Sequence, residues 1–339
     1  MRFFPLLRTA LALGVLLGGA TACSDDDDDD DAPAASPQTI TINRKGLYPE
    51  GVQYDAAGQR YFVSSLTRGA IGQVRGDSTY TLFADSPRLI STIGLNFDAG
   101  RNRLLAAVSD PGAGTRSTAA TVGQLAALAI FDVPAGGAAG ALTSFVDLGV
   151  LRPGQGHFAN DIAVDAQGNA YVTDSSSPII YKVDAAGTAT VFYENAALAT
   201  QPGQFGFNGI VFHPDGYLLV VHSTLGRLYK LPLTNSGGSG APTATVVATS
   251  QSLMAGDGLL LLNNQTLLVA ANAQSSVFRL TSSDGFATAQ ASGTFATGAT
   301  FPTTLTRRGD GEAYVLYAYL DKIAVMPPQP TFTINKVQF

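Results

Sequence analysis

The chain is poor in the residues on which much covalent and soft-metal chemistry depends. Its 339 residues include one cysteine, Cys23, and three histidines. A disulfide framework needs paired cysteines, so none is expected. A zinc site rich in thiolate or imidazole ligands cannot be assembled from this set either. The sequence also lacks a Gly-x-Ser-x-Gly nucleophile elbow, so covalent acyl transfer is not indicated.

Charge is scarce as well, and it is unevenly placed. Only 14% of the residues are charged, and 20 basic against 26 acidic side chains give a net charge of −6. The seven consecutive aspartates Asp25–Asp31 exceed that net charge on their own. The remainder is close to neutral, so nothing supports a nucleic-acid-binding face. Helical periodicity is also missing after the first residues, which argues against a helical solenoid.

The amino-terminal segment has the pattern of an export signal. Arg2 and Arg8 precede the apolar run LALGVLLGGA, which is followed by Thr-Ala-Cys ending at Cys23. This arrangement is typical of a bacterial lipoprotein signal, although Ala20 stands where leucine is more usual. An ordinary secretory signal with an incidental cysteine is the alternative interpretation. We expect Cys23 to be lipidated and the protein to reach the outer membrane.

The residues after Cys23 predict a tether. Ser24 and Asp25–Asp31 form a solvated, self-repelling segment that would hold a domain away from a membrane. The Cys-Ser-Asp-Asp start also resembles the surface-export signal of Bacteroidetes lipoproteins, which implies exposure at the cell surface. The expected organisation is a signal peptide over 1–22, the lipidated cysteine with its acidic tether over 23–37, and one domain over 38–339.

A hairpin unit recurs six times within that domain. Each unit alternates apolar and polar residues, turns at a Gly, Asn or Asp cluster, and alternates again. A second strand pair follows in most units, at a spacing of roughly forty residues. This predicts an all-β fold, a six-bladed β-propeller with four-stranded antiparallel blades around a central channel. The segments 38–43 and 331–339 are both strand-like, and one of them is expected to pair into the blade at the other end of the chain and close the ring. The units open at Glu50, Ile93, Asn160, Asn208, Asp257 and Thr303.

Four of the six opening positions carry side-chain oxygens. They are Glu50, Asn160, Asn208 and Asp257. In a propeller these side chains converge on the channel, where two carboxylates can balance a divalent cation and two amides add hard oxygen donors. Calcium accepts six to eight oxygens, so four protein ligands leave room for water and substrate. Turn residues that satisfy backbone groups are the alternative for Asn and Asp, but not for Glu50.

A second tier is expected around that site. The second strand of each hairpin returns to the level at which the first began, and the residues fourteen positions after each opening residue mark its end. If a reaction takes place at the ion, Asp257 or Asp161 is the candidate general base and His222 a candidate partner. A histidine that only satisfies local polar groups is the alternative for His222. Of the residues at position fourteen, Asp174, His222 and Tyr317 are expected at the mouth of the channel. Asn272, which follows position fourteen of the fifth unit, and Asp161, which follows Asn160, are expected there as well.

The second unit contains the longest loop at the mouth end. Residues 109–124 are expected to hang over the channel as a lid, or else to form a surface excursion. Arg116 in this loop is the candidate contact for an anionic substrate.

These motifs together resemble the gluconolactonase–regucalcin family of six-bladed propellers, to which diisopropyl fluorophosphatase is related. The similarity covers about 46–319 and is carried by PEGV, ANDIAVDAQGNAYVTD, FNGIVFHPDG and GDGL. It implies that the Glu, the two Asn and the Asp hold one divalent metal, usually calcium. It also implies the reaction class, hydrolysis of a lactone or related ester by a metal-activated water.

One position departs from the family pattern. Its sugar-lactonase members carry an arginine two residues before the first metal-binding Asn, and here that position is Phe158. We therefore expect a small-molecule substrate other than a polyhydroxy sugar lactone. The competing hypothesis is a non-catalytic propeller that binds a ligand or protein and keeps calcium as a structural ion. In either case, membrane contact is expected only through the lipid on Cys23.

Overall fold

The computed structural model describes residues 36–234, 242–309 and 311–339. The predicted signal peptide, the lipidation site at Cys23 and nearly all of the predicted tether lie outside these residues. None of the helices in the described part of the chain has the length and apolarity needed to span a bilayer.

The described residues form short strands in consecutive groups, which we call blades. A first strand, β1 (Thr39–Ile42), precedes blade 1, which is β2 (Val52–Asp55), β3 (Arg60–Val63), β4 (Ile71–Arg75) and β5 (Tyr80–Ala84). Blade 2 is β6 (Ser91–Asp98), β7 (Arg103–Ser109), β8 (Ala126–Asp132) and β9 (Leu142–Asp147). Blade 3 is β10 (Ala159–Val164), β11 (Ala170–Asp174), β12 (Ile179–Val183) and β13 (Ala189–Glu194).

The second half repeats this plan. Blade 4 is β14 (Phe207–His213), β15 (Tyr217–His222), β16 (Arg227–Pro232) and β17 (Thr245–Thr249). Blade 5 is β18 (Gly256–Asn263), β19 (Thr266–Ala271), β20 (Ser276–Thr281) and β21 (Thr288–Ala296), and blade 6 contains β22 (Pro302–Arg308), β23 (Glu312–Tyr317) and β24 (Phe332–Lys336). Short 3-10 helices occupy Ala99–Arg101, Ala135–Gly137, Gly149–Leu151, Ala196–Leu198 and Leu320–Lys322.

Within each blade the strands pair in chain order and antiparallel. Blades 4 and 5 also join into one eight-stranded sheet, because β17 and β21 pair in parallel. The fourth strand of blade 6 is β1, which pairs antiparallel with β24 from Thr39 opposite Asn335 to Ile42 opposite Phe332. The predicted closure by the two terminal segments is therefore confirmed.

The turn residues of the repeat explain its regular spacing. In blade 3, the Gly168 N–H donates to the Asp165 carbonyl oxygen at 2.9 Å, and Gly168 has a φ of 88°. Glycine adopts this left-handed conformation without steric cost. The Asp165 carboxylate also accepts from the Asn169 N–H at 2.9 Å, which fixes the turn. Gly216 repeats the conformation in blade 4, with a φ of 84°.

Apolar side chains fill the space between neighbouring blades. Between blades 1 and 2, the ring centroids of Phe62 and Phe97 lie 5.5 Å apart and those of Phe83 and Phe131 lie 6.5 Å apart. Burial of such rings supplies most of the favourable free energy that holds one blade against the next.

The first strands of the blades form a closed ring. β2, β6, β10, β14, β18 and β22 each contact the next, and β22 returns to β2. The Thr303 hydroxyl closes this ring by donating to the Glu50 carbonyl oxygen at 2.8 Å. The approach is so close that a β-carbon on Gly209 would stand 2.1 Å from the Asp257 carbonyl oxygen. A β-propeller built from four-stranded sheets is thus confirmed, and its six groups of strands match the repeat.

Candidate metal centre

The four oxygen-bearing opening residues lie together at the centre of the ring. Glu50 lies two residues before the first strand of blade 1, whereas Asn160, Asn208 and Asp257 lie in the first strands of blades 3, 4 and 5. All four are buried, yet all four line one cavity of about 630 Å³. The structure therefore brings together the residues that the sequence predicts as metal ligands.

Two serines fix the orientation of the amide groups. The Ser175 hydroxyl donates to the Phe207 carbonyl oxygen at 2.6 Å and receives the Asn160 Nδ2–H at 2.9 Å. Because a hydroxyl has only one hydrogen, and that hydrogen is already donated, the amide must present its nitrogen to the serine. The Asn160 carbonyl oxygen is consequently turned the other way.

Blade 4 repeats this arrangement one step around the ring. The Ser223 hydroxyl donates to the Gly256 carbonyl oxygen and accepts from Asn208 Nδ2 at 3.0 Å. The Asn208 carbonyl oxygen is therefore oriented by the same logic. The serines were missed by the sequence analysis, although both stand fifteen residues after their asparagine.

Three oxygens of this group have no hydrogen-bond partner in the part of the chain that the structure describes. Asn160 Oδ1, Asn208 Oδ1 and Glu50 Oε2 are buried and accept no hydrogen bond from the described residues. Each buried acceptor without a donor costs about 1–3 kcal/mol, so three in one cavity call for an explanation. A hard cation satisfies all three, since calcium binds carboxylate and amide oxygens.

The donor set itself fits such an ion. It contains two carboxylates and two amides and no imidazole or thiolate, which suits calcium or magnesium and not zinc. No cluster of three or more His, Cys, Asp or Glu able to hold a metal occurs in the described residues, because half of this set is amide.

The carboxyl groups are close enough to repel one another. Burial raises the pKa of Glu50 well above its usual range, and the negative charges of Asp257 and Asp161 raise it further. Burial likewise raises the pKa of Asp257 to about 7; a hydrogen bond from Asn272 opposes the rise and the charge of Asp161 adds to it. A bound cation would relieve this repulsion and favour the ionised carboxylates.

Asp161 occupies a different position from the one expected for a general base. Its Oδ1 accepts from the Ile162 N–H at 2.9 Å and its Oδ2 from the Ile210 N–H at 3.2 Å, so it links β10 to β14. The residue as a whole is half-buried, but desolvation of its carboxyl group raises the pKa to about 7. It does not line the cavity, whereas Asp257 does. Of the two expected bases, only Asp257 is placed to meet a substrate.

The predicted second tier is only partly assembled. Asn272 lines the cavity and donates from Nδ2 to Asp257 Oδ2 at 3.0 Å, and Phe158 lines it as well. His222, Asp174 and Tyr317 lie outside the lining.

The expected role of His222 as a catalytic partner is wrong, because its surroundings keep it from the site. The ring is fully buried, with Nε2 3.0 Å from the Leu198 carbonyl oxygen and Nδ1 accepting from the Leu225 N–H. Burial lowers the pKa of the imidazole, which is therefore neutral at neutral pH. Both nitrogens are occupied by the backbone, so His222 holds loops in place and does not reach the site.

Asp174 is likewise corrected to a supporting role. Its Oδ2 lies 2.8 Å from His157 Nδ1, and its Oδ1 accepts from the Phe158 N–H at 2.9 Å. His157 Nε2 in turn lies 3.0 Å from the Arg152 carbonyl oxygen. Asp174 thus anchors the loop that carries Phe158. Tyr317 packs against the apolar cluster of blades 5 and 6 instead of facing the cavity.

Side-chain direction at the end of the second strand explains the corrections of Asp174, His222 and Tyr317. Side chains alternate between the two faces of a strand, so position fourteen and position fifteen point in opposite directions. The side-chain contacts to Asn160, Asn208 and Asp257 come from position fifteen, which is Ser175, Ser223 and Asn272. In blade 1 the contact is to the backbone, where the Glu50 N–H donates to the hydroxyl of Ser64 at position fourteen at 3.1 Å.

The 109–124 loop lies at the cavity, as expected, through Pro111 and Ala113. Arg116 does not line the cavity. Its guanidinium binds the Asp85 carboxylate at 2.8 and 2.9 Å and the Leu89 carbonyl oxygen at 3.0 Å. Arg116 therefore fastens the loop to the end of blade 1, which corrects its expected contact with an anionic substrate.

A second segment also contributes to the cavity and was missed by the sequence analysis. Leu320, Asp321 and Ile323, in the connection between β23 and β24, line the wall. The unusual length of that connection, from 318 to 331, was the available signal.

Comparison with known proteins agrees with this architecture. The family model described as "SMP-30/Gluconolactonase/LRE-like region" matches residues 48–307. None of the curated protein sequences matches the chain significantly.

Several solved structures share the fold. The major Malassezia sympodialis allergen Mala s 1 is 18% identical with a TM-score of 0.72, over 90% of this chain and 97% of that one. The calcium-binding protein regucalcin from Agrobacterium tumefaciens is 19% identical with a TM-score of 0.59, over 89% and 95% of the two chains. A gluconolactonase from Xanthomonas campestris is 17% identical with a TM-score of 0.59, over 88% and 89%.

Proposed function

Because the chain belongs to the SMP-30/gluconolactonase/LRE-like family, we propose that it is a divalent-metal-dependent hydrolase of a lactone or related ester. The observation that carries this proposal is the group of unpartnered buried oxygens on Glu50, Asn160 and Asn208, which meet Asp257 in one cavity. Calcium is the proposed ion, since the donors are all hard oxygens. Regucalcin, which shares the fold, is described as calcium-binding.

Each residue has a distinct task in the proposed reaction. Glu50, Asn160, Asn208 and Asp257 would hold the ion, and Ser175 and Ser223 keep the two amides turned towards it. When bound, a divalent ion polarises a carbonyl oxygen and lowers the pKa of a coordinated water.

Asp257 is the proposed proton acceptor. As the water oxygen adds to the carbonyl carbon, its proton passes to the Asp257 carboxylate. The acyl C–O bond then breaks, and the departing oxygen takes that proton, so that a lactone yields a hydroxy acid. Asn272 donates a 3.0 Å hydrogen bond to one carboxylate oxygen of Asp257, which leaves the other oxygen to accept the proton of the water.

One experiment tests the proposal directly. The mature chain from residue 23 onward, with Cys23→Ser to prevent lipidation, is assayed for bound metal and for hydrolysis of lactones and aryl esters with and without chelator. We expect turnover that chelator abolishes and that Asp257→Ala loses while the fold persists. Asp215→Asn, an exposed aspartate at a hairpin turn, is the matched control and should retain activity. Turnover of no lactone or ester, with calcium raising only the melting temperature, would favour the non-catalytic binding propeller.

The export signal adds a proposal about location. Lipidation of Cys23 would anchor the protein to the outer membrane, with the acidic segment as a spacer. The basic and apolar pattern of residues 1–22 supports this. Incorporation of labelled palmitate into the intact chain, lost in Cys23→Ala, is the expected result; equal labelling of both would contradict it.

A further inference from the structure

The geometry points to an uncharged ester or lactone with a bulky apolar substituent as the substrate, an inference that rests on the proposed hydrolase only for its reacting group. The cavity combines a small polar floor with a wide apolar wall. The floor is the oxygen group that includes Glu50 and Asp257. The wall includes residues at the start of blades 2, 3, 4 and 5 and residues of the connections 109–124 and 318–331. The wall residues that carry the argument are Ile93, Phe158, Phe205, Met254, Leu320 and Ile323.

Two aromatic rings form the core of the wall. Phe158 and Phe205 pack edge to face, with ring centroids 5.4 Å apart and an interplanar angle of 73°. Phe158 precedes blade 3 and Phe205 precedes blade 4, so the pair spans the gap between two blades. The backbone of Phe158 is held in place by Asp174, whose carboxylate accepts a hydrogen bond from the Phe158 N–H at 2.9 Å.

The wall remains partly uncovered in the free protein. Phe205 is 46% exposed and Met254 is 48% exposed, although both line the cavity. Covering apolar surface is worth about 25 cal/mol per Å², so an apolar substituent gains free energy at this wall. The cavity volume of about 630 Å³ falls in the range of sites for drug-sized ligands, which is far more than a small acyl group needs.

The charges of the cavity argue against an anionic substituent. Among the described residues that line it, none is Lys, Arg or His, and the charged ones are Glu50, Asp257 and Asp321. Arg116, the arginine of the 109–124 loop, is already paired with Asp85. A carboxylate or phosphate on the substituent that lies against the apolar wall would therefore lose its hydration without gaining a cationic side chain as partner.

The wall has few polar side-chain groups that could meet the hydroxyls of a polyhydroxy substrate. The Thr224 hydroxyl donates to the Phe205 carbonyl oxygen at 2.8 Å, and the Gln204 side-chain oxygen accepts from the Gln201 N–H at 3.3 Å. The Thr224 hydrogen and the Gln204 side-chain oxygen are thus engaged within the protein, and the wall offers a substrate mainly the Gln204 amide nitrogen and the Asp321 carboxylate. Hydroxyls buried against the remaining apolar wall would lack partners, which costs about 1–3 kcal/mol each.

The test separates substrate class from catalysis by using paired probes. The Cys23→Ser mature chain with calcium is given δ-dodecalactone and glucono-1,5-lactone as substrates. Equilibrium binding is measured with the matching lactams, which are not hydrolysed. We expect kcat/KM to be about 100-fold higher for the alkyl lactone, and the alkyl lactam to bind correspondingly more tightly than the sugar lactam.

Variants of the wall assign the effect to its residues. Phe158→Ser and Phe205→Ser should each weaken binding of the alkyl lactam about 10-fold and leave bound calcium unchanged. Leu82→Ser is the matched control, because Leu82 is an exposed apolar residue on the outer strand of blade 1 and should have no effect. A further variant, Phe158→Arg, should reduce the preference for the alkyl probe.

The two proposals fail in different ways. Selective binding of the alkyl lactam without turnover of any lactone supports the apolar ligand class and overturns the hydrolase. Turnover that favours the sugar lactone, or tighter binding of the sugar lactam, overturns the apolar class and leaves the hydrolase standing. Equal binding of both lactams, unchanged in the two serine variants, also overturns the apolar class.

Discussion

The side-chain amide of Asn208 donates to the hydroxyl of Ser223 at 3.0 Å, and this contact decides which amide atom faces the centre of the propeller. The serine hydrogen is committed to the carbonyl oxygen of Gly256 in the next blade. The asparagine therefore has one allowed orientation before any ion arrives. The proposed metal ligand Asn208 is thus oriented by a serine whose own hydrogen bond joins blade 4 to blade 5.

Removal of the serine hydroxyl should weaken metal binding without removing a ligand. In Ser223→Ala the amide loses the acceptor that fixes its orientation, so calcium affinity should fall about 10- to 100-fold. Calorimetric titration with calcium measures this. Ser250→Ala is the control and should bind calcium normally, because Ser250 is an exposed residue directly after β17, the fourth strand of blade 4. An unchanged affinity in Ser223→Ala would show that the amide is held by other contacts.

The buried carboxyls should make the metal-free protein less stable as the pH rises. The pKa of Asp257 is raised from 3.8 to about 7, so the folded state holds its proton more tightly than the unfolded state. That contribution is fully present below pH 3.8 and is lost as the pH rises through about 7. Urea unfolding with chelator should show a stability difference between Asp257→Asn and the parent chain that shifts by a few kcal/mol between pH 4 and pH 8.

Calcium should reverse this trend. An ion needs the ionised carboxylates, so its stabilising effect should grow over the same pH range. A calcium effect that is equal at pH 5 and pH 8 would contradict a site built on Glu50 and Asp257.

His157 should titrate above its ordinary range because of Asp174. Burial alone lowers the pKa of the imidazole, but the hydrogen bond and negative charge of Asp174 outweigh burial and raise it. Its contribution to stability is therefore present below pH 6.5 and is lost as the pH rises through the folded pKa. In Asp174→Asn the pKa should fall below 6.5, since burial then dominates. An NMR titration of the ring measures both values; the same pKa in both proteins would refute the pairing.

Gly209 should not tolerate a side chain. A β-carbon there would meet the Asp257 carbonyl oxygen at 2.1 Å and the Leu259 nitrogen at 2.9 Å, and neither backbone atom can yield. Gly209→Ala should cost about 3 kcal/mol or more in the free energy of unfolding, and lower calcium affinity because Asp257 is displaced. Gly76→Ala is the control, as its β-carbon would meet nothing within 4 Å. Equal stability of the two variants would show that the inner strands can move apart.

The sequence predicted the propeller and the position of its ring because both depend on local patterns. Alternating residues, turn glycines such as Gly168 and the opening residues repeat in one frame, and no distant contact is needed to recognise them. The closing pair of terminal strands followed from the same reasoning, since an unpaired edge strand is unfavourable.

The second tier was less predictable because it depends on side-chain direction and on contacts between distant loops. A shift of one residue along a strand separates Asp174 from Ser175, and only the latter contacts a predicted ligand. Arg116 looked free in the sequence because its partner, Asp85, lies 31 positions earlier on another blade. His222 is occupied by carbonyl and amide groups of other loops, which a pattern of side chains does not reveal.

The pairing of β1 with β24 has a mechanical consequence. The four residues of β1 are the outermost strand of blade 6, so a chain held at its amino end transmits tension first to the hydrogen bonds between these two strands. The inner ring that carries Asn160, Asn208 and Asp257 is separated from that load by two further strands of the blade. Force on the amino end would thus separate β1 from β24 before it displaced the oxygen-bearing side chains at the centre of the ring.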